Sequence, residues 1–245
     1  EEGRKPPEVV SRAGFDNFSL DLIFANPGQT LKELEGDLNA ALEYRSPHLS
    51  AYNLTFEEGT PFHHEYRCGR MSALSEDEEI AMAELIEEKL GAAGLNRYEI
   101  SNYALSNCHS RHNVNYWQLG DYLGLGAGAH SYLQTGTDPI VRKRWSNEKN
   151  PGRYMSRINE SGTAISDRQN IDQDKAVGEF LFLGLRMLSG VSCKAFRSNF
   201  GRSPVEFYPK IETWREAGLI EEKNGNLRLT ARGLLLANSI FVEFV

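Results

Sequence analysis

Cysteine is scarce in this sequence of 245 residues. Cys68, Cys108 and Cys193 are odd in number and lie far apart. Neither a disulfide framework nor a paired zinc motif can be built from that spacing. Structural disulfides belong to oxidising compartments, so a chain without such a framework is predicted to be cytoplasmic.

Long apolar runs and an excess of basic residues are missing as well. No run approaches the roughly 20 apolar residues that span a bilayer. Lysine and arginine together number 27 against 34 acidic residues, which gives a net charge of −7. General nucleic-acid binders carry a basic excess, and we therefore expect no nucleic-acid partner.

The first half of the chain alternates predicted strands with predicted helices. Apolar runs indicate the strands, and Thr30 and Ser75 are the predicted N-caps of the helices. The elements are, in order, strand 17–25, helix 31–44, strand 48–56, helix 76–93 and strand 97–103. This alternation is typical of a parallel α/β sheet, whose ligands bind beyond the C-terminal ends of the strands. The loops 26–30, 55–62 and 102–117 are therefore the expected ligand-binding edge.

Asp21 lies in the middle of the first predicted strand. That strand is apolar enough to be predicted as buried and parallel. A buried carboxylate is costly unless it is paired or holds a ligand. Asp21 is therefore either a ligand-binding residue or a structural acid held by an arginine or by backbone amides, and the sequence leaves both open.

Residues 111–117, RHNVNYW, form the stretch richest in chemically useful side chains. Its imidazole can ligate iron, and its phenol and indole offer flat faces to a flat ligand. Gly124, Gly126 and Gly128 follow, and on a strand their alternation would clear one face for that ligand. The alternative is structural: a turn with a buried aromatic pair, followed by a tightly packed strand.

The second half is predicted to contain more helix and two hairpins. The first hairpin joins 126–134 to 140–146 through a turn at 136–139, and the second turns at Asn224-Gly225. The predicted helices are 151–159, 175–188, 191–200, 205–216 and a last one from Ala231. Helices followed by a short hairpin are typical of a winged-helix module. Lys210 and Arg215 are the only basic residues in 207–218, so we expect a protein-docking or structural module rather than a DNA-binding one.

Several short motifs also occur along the chain in one order. They are 18–24 (FSLDLIF), 27–30 (PGQT), 58–62 (EGTPF), 97–102 (RYEISN), 111–117, 124–130 (GLGAGAH) and 227–233 (LRLTARG). Together they resemble the radical S-adenosylmethionine proteins related to oxygen-independent coproporphyrinogen III oxidase. The motifs at 97–102, 111–117 and 124–130 are similar to the HemW branch of that family, whose members are regarded as heme chaperones.

The resemblance implies an α/β fold. Residues 1–146 would form the C-terminal part of a partial radical S-adenosylmethionine (β/α)6 barrel, and residues 147–245 a smaller helical, winged-helix-like domain. It also implies S-adenosylmethionine, a [4Fe-4S] cluster and, in the HemW branch, heme. The family's cluster motif, CxxxCxxC, does not occur in the sequence. We therefore expect the chain to correspond to the C-terminal two-thirds of such a protein and to hold no [4Fe-4S] ligands.

The resemblance places three residues of this sequence at S-adenosylmethionine positions. Asp21 corresponds to the acid that contacts this cofactor at the end of a strand. Thr55 falls where relatives place backbone beside the nucleoside. His130 falls beside a second cofactor position.

Heme would use the stretch at 111–117. We assign His112 as the candidate axial ligand of the iron, with Tyr116 and Trp117 packing on the macrocycle. Arg111 and the basic run 142–144, RKR, are the local cations for the propionates.

Two functions follow from this resemblance. The first is a heme chaperone that passes heme to an acceptor protein, and the stretch at 111–117 favours it. The second is a radical S-adenosylmethionine oxidase, or dehydrogenase, acting on coproporphyrinogen III. A respiratory acceptor, a peripheral contact with the membrane and a homodimer are left open.

Overall fold

The computed structural model describes residues 9–10, 12–134 and 142–244. The turn predicted at 136–139 lies outside the described residues. The chain divides into two compact units, Glu1–Ser110 and Arg111–Val245. The domain limits predicted from the sequence, 1–146 and 147–245, stay a prediction. The packing boundary falls elsewhere because the second unit contains a sheet that continues past residue 146.

The first unit contains a four-stranded sheet of order β1-β2-β4-β3. Its elements are β1 Ser19–Phe24, α1 Leu31–Glu43, β2 His48–Asn53, α2 Pro61–Arg67, α3 Glu76–Ala92, β3 Asn96–Arg97 and β4 Asn102–Ala104. Thr30 and Ser75 cap α1 and α3 as predicted, and each forms a capping box with a glutamate. Such boxes satisfy backbone amides that the first turn of a helix leaves unpaired.

The parallel arrangement holds for β1 and β2 only. The third strand predicted at 97–103 is instead a tight hairpin, because the Tyr98 amide donates to the Asn102 carbonyl and reverses the chain. Both of its strands are short, and β4 pairs antiparallel to β2 as well as to β3.

One face of this sheet is covered by α1 and α3. The core there is aliphatic and includes Leu34, Leu38, Leu49, Met82 and Ile86. The other face is polar, and β1 forms the edge of the sheet. The prediction that β1 is buried is wrong for most of the strand: exposed and half-buried residues alternate from Ser19 to Ile23, Asp21 is exposed, and Phe24 at the end is buried.

The second unit begins with α4, Arg111–Trp117, and contains two three-stranded sheets. The first sheet joins β5 His130–Gln134, β6 Arg142–Asn147 and β7 Ile165–Ile171 in antiparallel order, with α5 Pro151–Ser161 between β6 and β7. The antiparallel pairing expected of the predicted hairpin is present between β5 and β6, but the first strand begins at His130 and not at 126. Strand β7 was not predicted, because it carries five consecutive polar or charged residues, 166–170.

The rest of this unit is helical with a small sheet of order β8-β10-β9. Its elements are α6 Gln173–Gly184, β8 Val191–Ser192, α7 Cys193–Phe200, α8 Pro204–Phe207, α9 Lys210–Glu216, β9 Ile220–Lys223, β10 Asn226–Leu229, α10 Ala231–Leu235, α11 Ala237–Phe241 and a final 3-10 turn, Val242–Phe244. The predicted hairpin at Asn224-Gly225 is confirmed, and both residues have positive φ. The helix predicted at 205–216 is broken in two because Pro209 excludes the helical conformation from Tyr208 before it. Within the described residues, no helix has the length and apolar character needed to cross a membrane.

Candidate functional site

The stretch at 111–117 folds as a helix, α4, and not as a turn. Its end is fixed by Asn115, whose side-chain amide donates to the Asp121 carbonyl at 3.1 Å. Gly120 donates its amide to the Asn115 carbonyl, and any Cβ at Gly120 would overlap the Asn115 side chain. Asn115 and Gly120 therefore direct the chain from α4 towards β5.

The glycine run is not a strand, contrary to the prediction. Gly126 and Gly128 have positive φ, and β5 begins only at His130. Gly124 packs so closely on the His130 carbonyl that a Cβ would overlap it, and its amide donates to Ser131 Oγ at 2.9 Å. The glycines thus allow a close backbone approach that sets the position of β5.

A cavity of about 520 Å³ lies between α4 and the face of the first sheet of this unit. That volume is within the usual range for small-molecule and cofactor sites. Five aromatic residues line it: Tyr116, Trp117, Tyr122, Tyr132 and Trp145. His130, Arg144, Ser146, Asp167 and Gln169 also line it, together with Leu119, Gly120 and Leu183.

The sheet presents these polar residues to the cavity in two rows. Strand pairing puts His130 opposite Ser146, and Ser146 opposite Asp167. The next row on the same face is Tyr132, Arg144 and Gln169. We call these the histidine row and the arginine row. Because strands rise about 3.3–3.4 Å per residue, the rows are separated by roughly 7 Å.

Tyrosine rings form a connected wall beside these rows. Tyr116 meets Tyr122 edge to face at 4.6 Å between ring centroids, and Tyr122 lies nearly parallel to Tyr132 at 6.0 Å. The Arg144 guanidinium lies 5.3 Å from the centre of the Tyr132 ring. Flat aromatic faces next to a cation favour a flat ligand with negative groups at its edge.

Two buried atoms of the cavity lining have no hydrogen-bond partner: Trp117 Nε1 and the Tyr132 hydroxyl. Burial raises the pKa of Tyr132 to about 12, although the nearby Arg142 and Arg144 oppose that effect. The hydroxyl is therefore protonated at neutral pH and can donate. Since buried polar groups nearly always have partners, these two donors would suit a ligand that brings acceptors and displaces the side chains that now shield them.

Charge is uneven along the cavity. Arg144 stands in the arginine row and also pairs with Glu179, Nη2 to Oε2 at 2.9 Å. A guanidinium has five N–H donors, so this pair leaves others for a ligand. Asp167 puts a carboxylate in the histidine row. A ligand carboxylate is therefore expected at the arginine row.

The residues predicted for heme do not all reach this cavity. Tyr116 and Trp117 line it, but Arg111 and His112 are exposed and do not. The His112 ring stands edge-on to Tyr116, 4.8 Å between centroids. His130, predicted for S-adenosylmethionine, does line the cavity.

The other two residues predicted for S-adenosylmethionine lie in the first unit. Strand pairing puts Asp21 beside Ser50, and Ser50 beside Asn102, so the three share the polar face of that sheet. Asn102 Oδ1 is buried there without a donor. The fully buried Glu99 accepts from the Ser101 amide with one carboxylate oxygen and has no donor for the other. Thr55 is exposed just after β2.

A hydrogen-bonded chain crosses the same polar face. Ser19 Oγ and His48 Nδ1 are 2.7 Å apart, and His48 Nε2 and the Tyr98 hydroxyl 2.9 Å. The Ser110 amide donates to that hydroxyl at 3.1 Å. Burial lowers the pKa of His48. These groups are satisfied by one another and are structural.

Cysteine chemistry does not contribute a metal centre here. Cys68, Cys108 and Cys193 are free. Over the described ranges, no group of three or more His, Cys, Asp or Glu residues is placed to hold a metal ion. The three cysteines do not come together in one group within the described residues, so they do not fit a [4Fe-4S] cluster.

Several cavity residues were missed by sequence reasoning: Tyr122, Tyr132, Trp145, Asp167 and Gln169. The hairpin of β5 and β6 was predicted, and its alternation puts residues 130 and 132 on one face with 144 and 146. That signal could have identified Tyr132. No signal identified Asp167 and Gln169, because β7 itself was not recognised.

The chain is similar to several known proteins. Residues 171–236 match the family model described as the HemN C-terminal domain. The proteins named heme chaperone HemW from Bacillus subtilis and Lactococcus lactis are 38% and 33% identical to this chain, in each case over 97% of it. The HemW of Escherichia coli is 29% identical over all of it. The chain spans about three-fifths of these relatives, 61%, 61% and 62% of their lengths.

A solved structure has the same fold. It is coproporphyrinogen III oxidase (HemN) from Escherichia coli, a radical SAM enzyme, with a TM-score of 0.74. The match covers 98% of this chain and 57% of that one. At 17% identity the likeness shows the fold alone, and it confirms the predicted mixed α/β class.

Proposed function

The chain belongs to the HemW-like family of coproporphyrinogen III oxidase relatives, and on that premise we propose that the intact protein is a cytoplasmic heme chaperone. It binds heme and passes it to an acceptor protein. The observation that carries this proposal is the aromatic cavity of the second unit, with two buried donors that lack acceptors. A respiratory acceptor, a homodimer and peripheral contact with a membrane remain predictions of the same proposal.

Heme matches the cavity in shape and in polarity. Its macrocycle is flat and apolar, as the wall of Tyr116, Tyr122 and Tyr132 requires. Its two propionates are carboxylates, which accept from an indole N–H, a phenol O–H and a guanidinium. Trp117, Tyr132 and Arg144 supply those donors.

The exposed position of His130 suits a carrier more than a permanent heme protein. A carrier must release its heme to the acceptor. Because His130 and Asp167 of the histidine row are exposed, one side of the macrocycle would be accessible to that acceptor. The imidazole ligand is assigned by sequence to His112, and the cavity itself contains a second imidazole, His130.

S-adenosylmethionine would be held by the polar face of the first unit. Asp21, Asn102 and Glu99 offer acceptors to an ammonium group or to ribose hydroxyls, and Thr55 is near the end of the adjacent strand. The residues present fit that molecule but do not fit the [4Fe-4S] cluster, so the cluster has no role among the residues of this chain.

A hemin titration tests the proposal. We expect one saturable site, followed by the Soret band, and affinity about tenfold or more weaker in Tyr132→Phe, because a hydrogen bond to a charged group is lost. Tyr98→Phe is the matched control, since it removes a buried hydroxyl from the first unit. The proposal fails if hemin does not saturate the chain, or if both variants weaken binding equally.

A further inference from the structure

The second unit contains another cavity, of about 390 Å³, formed by α7, the start of α8, α9 and the hairpin of β9 and β10. Its volume is within the usual range for ligand sites. We call it the basic cavity, and we propose that it binds an acidic, partly apolar segment of a partner protein. This inference does not depend on heme, because the residues that line the basic cavity differ from those of the aromatic cavity.

The first step is that the helix along one side of the basic cavity is fixed in place. The Cys193 amide at the start of α7 donates to the Gly225 carbonyl of the hairpin turn at 3.0 Å. On another face of α7, Phe196 and Phe200 are buried and pack against the ring of Phe207. The hairpin and this aromatic cluster therefore hold α7, and its cavity-lining residues need little ordering when a ligand binds.

The second step is the charge of the lining. It contains three cationic residues, Lys194, Arg197 and Arg215, against one carboxylate, Glu222. Arg215 is already engaged, because its guanidinium contacts Glu212 at 2.7 Å and Glu222 at 3.7 Å. Lys194 and Arg197 are exposed, and over the described ranges neither is in an ion pair. In a protein of net charge −7, this cavity thus offers two cations to an external anion.

The nearby acid Glu206 does not neutralise these cations at the cavity. It does not line the cavity, and its carboxylate accepts from the Ser203 amide and from the Ser203 hydroxyl, both at 2.6 Å. These hydrogen bonds lower the pKa of Glu206, and the charge of Arg197 adds a smaller effect. Glu206 therefore belongs to the cap of α8, and Arg197 keeps donors for a ligand.

The third step is the apolar part of the lining. Pro204 and Leu227 are buried, and Val205 and Cys193 are half-buried. Burial raises the pKa of the Cys193 thiol, and Glu222 adds to that effect, so the thiol is neutral at pH 7. A nucleic acid would bring phosphates to the cations but no aliphatic side chain to this surface. A peptide segment that carries both carboxylates and aliphatic side chains matches the whole lining.

The test is a titration of the 245-residue chain into a dye-labelled peptide of alternating leucine and glutamate, followed by fluorescence anisotropy. Lys194→Glu and Arg197→Glu should each weaken binding about fivefold or more, since an exposed ion pair is replaced by a repulsion. The matched control is Lys32→Glu, which makes the same charge change at an exposed lysine of α1 in the first unit. Its affinity for the peptide should equal that of the unsubstituted chain.

Two further probes test the chemistry of the ligand. A peptide of alternating serine and glutamate should bind more weakly, because it leaves the apolar lining uncovered, and a peptide of alternating leucine and lysine should not bind. The inference is overturned if the leucine–glutamate peptide does not bind, if Lys32→Glu weakens binding as much as the cavity variants do, or if the lysine peptide binds equally well. Tighter binding of a single-stranded oligothymidine at the same site would assign the cavity to nucleic acid and would also overturn it. None of these outcomes affects the heme proposal, which hemin titration tests separately.

Discussion

The sheets of the two units differ in the kind of buried atom that they leave without a partner. In the first unit these atoms are acceptors, Glu99 Oε2 and Asn102 Oδ1. In the cavity of the second unit they are donors, Trp117 Nε1 and the Tyr132 hydroxyl. An unpaired buried polar group costs about 1–3 kcal/mol, so a folded chain keeps one where a ligand or another partner can satisfy it. The first unit thus suits a ligand with ammonium or hydroxyl groups, and the second suits a flat ligand with carboxylates.

One tyrosine from each unit illustrates this difference between satisfied and unsatisfied buried groups. Tyr98 and Tyr132 are both buried, and burial raises the pKa of each. The Tyr98 hydroxyl is held by His48 and by the Ser110 amide, whereas the Tyr132 hydroxyl contacts no acceptor. Burial alone therefore does not distinguish these two hydroxyl groups, whereas the presence or absence of a hydrogen-bond partner does.

The largest expected effect comes from Gly124→Ala. Its Cβ would overlap the His130 carbonyl, which is backbone and cannot turn aside. Overpacking of this kind costs about 1–3 kcal/mol, and we expect the upper part of that range. Urea unfolding followed by tryptophan fluorescence would measure it, and hemin affinity should fall because β5 moves.

Gly36→Ala is the control for that substitution. Gly36 lies in α1, and a Cβ there meets no atom within 4 Å. Exchanging a helical glycine for alanine should stabilise the chain by about 0.5–1 kcal/mol. Equal stabilities of the two variants would show that Gly124 does not fix β5.

The free energies of unfolding of Tyr98→Phe and Tyr132→Phe should differ by about 1–2 kcal/mol. Tyr98→Phe breaks hydrogen bonds and should destabilise the ligand-free chain by about 1 kcal/mol. Tyr132→Phe removes an unsatisfied hydroxyl and should leave stability unchanged or raised by up to about 1 kcal/mol. Both can be measured by urea unfolding without heme, and destabilisation by Tyr132→Phe would mean that its hydroxyl has a partner in the free chain.

The sequence identified much of the fold because the strongest local signals agreed with the tertiary structure. The capping residues Thr30 and Ser75 begin their helices as predicted, and Asn224-Gly225 turns its hairpin. The strand β7 escaped prediction because its residues 166–170 are all polar or charged, and only pairing with β6 makes that segment a strand.

The candidate site was identified in part. The residues Tyr116 and Trp117 do line a cavity, but His112 does not, because it lies one turn before Tyr116 at the exposed start of the short helix. The glycine run was assigned to a strand from its alternation, whereas positive φ at Gly126 and Gly128 excludes that conformation. The two rows depend on strand pairing between residues far apart in sequence, and no local pattern contains that information.

The smallest expected effect is a dependence of stability on pH, which arises from His48 in the first unit. Burial lowers the pKa of His48 below its usual 6.5, His109 adds to the effect, and Asp21 opposes it. The unfolded chain therefore binds more protons than the folded chain as pH falls below 6.5, and the free energy of unfolding decreases with it. The stability due to neutral His48 is complete above pH 6.5 and is lost as pH falls through the lowered pKa.

Hydrogen exchange of the β1 and β2 amides between pH 7.5 and 5 would measure this loss, after correction for the intrinsic exchange rate. A single group limits the slope to about 1.4 kcal/mol per pH unit. His48→Gln should abolish the dependence in the first unit, and His64→Gln should keep it, because His64 is exposed. The β5 amides of the second unit, where His130 is exposed, are the internal comparison in the ligand-free chain. A parallel loss of protection in β5 would show that buried histidine charge is not what distinguishes the two sheets.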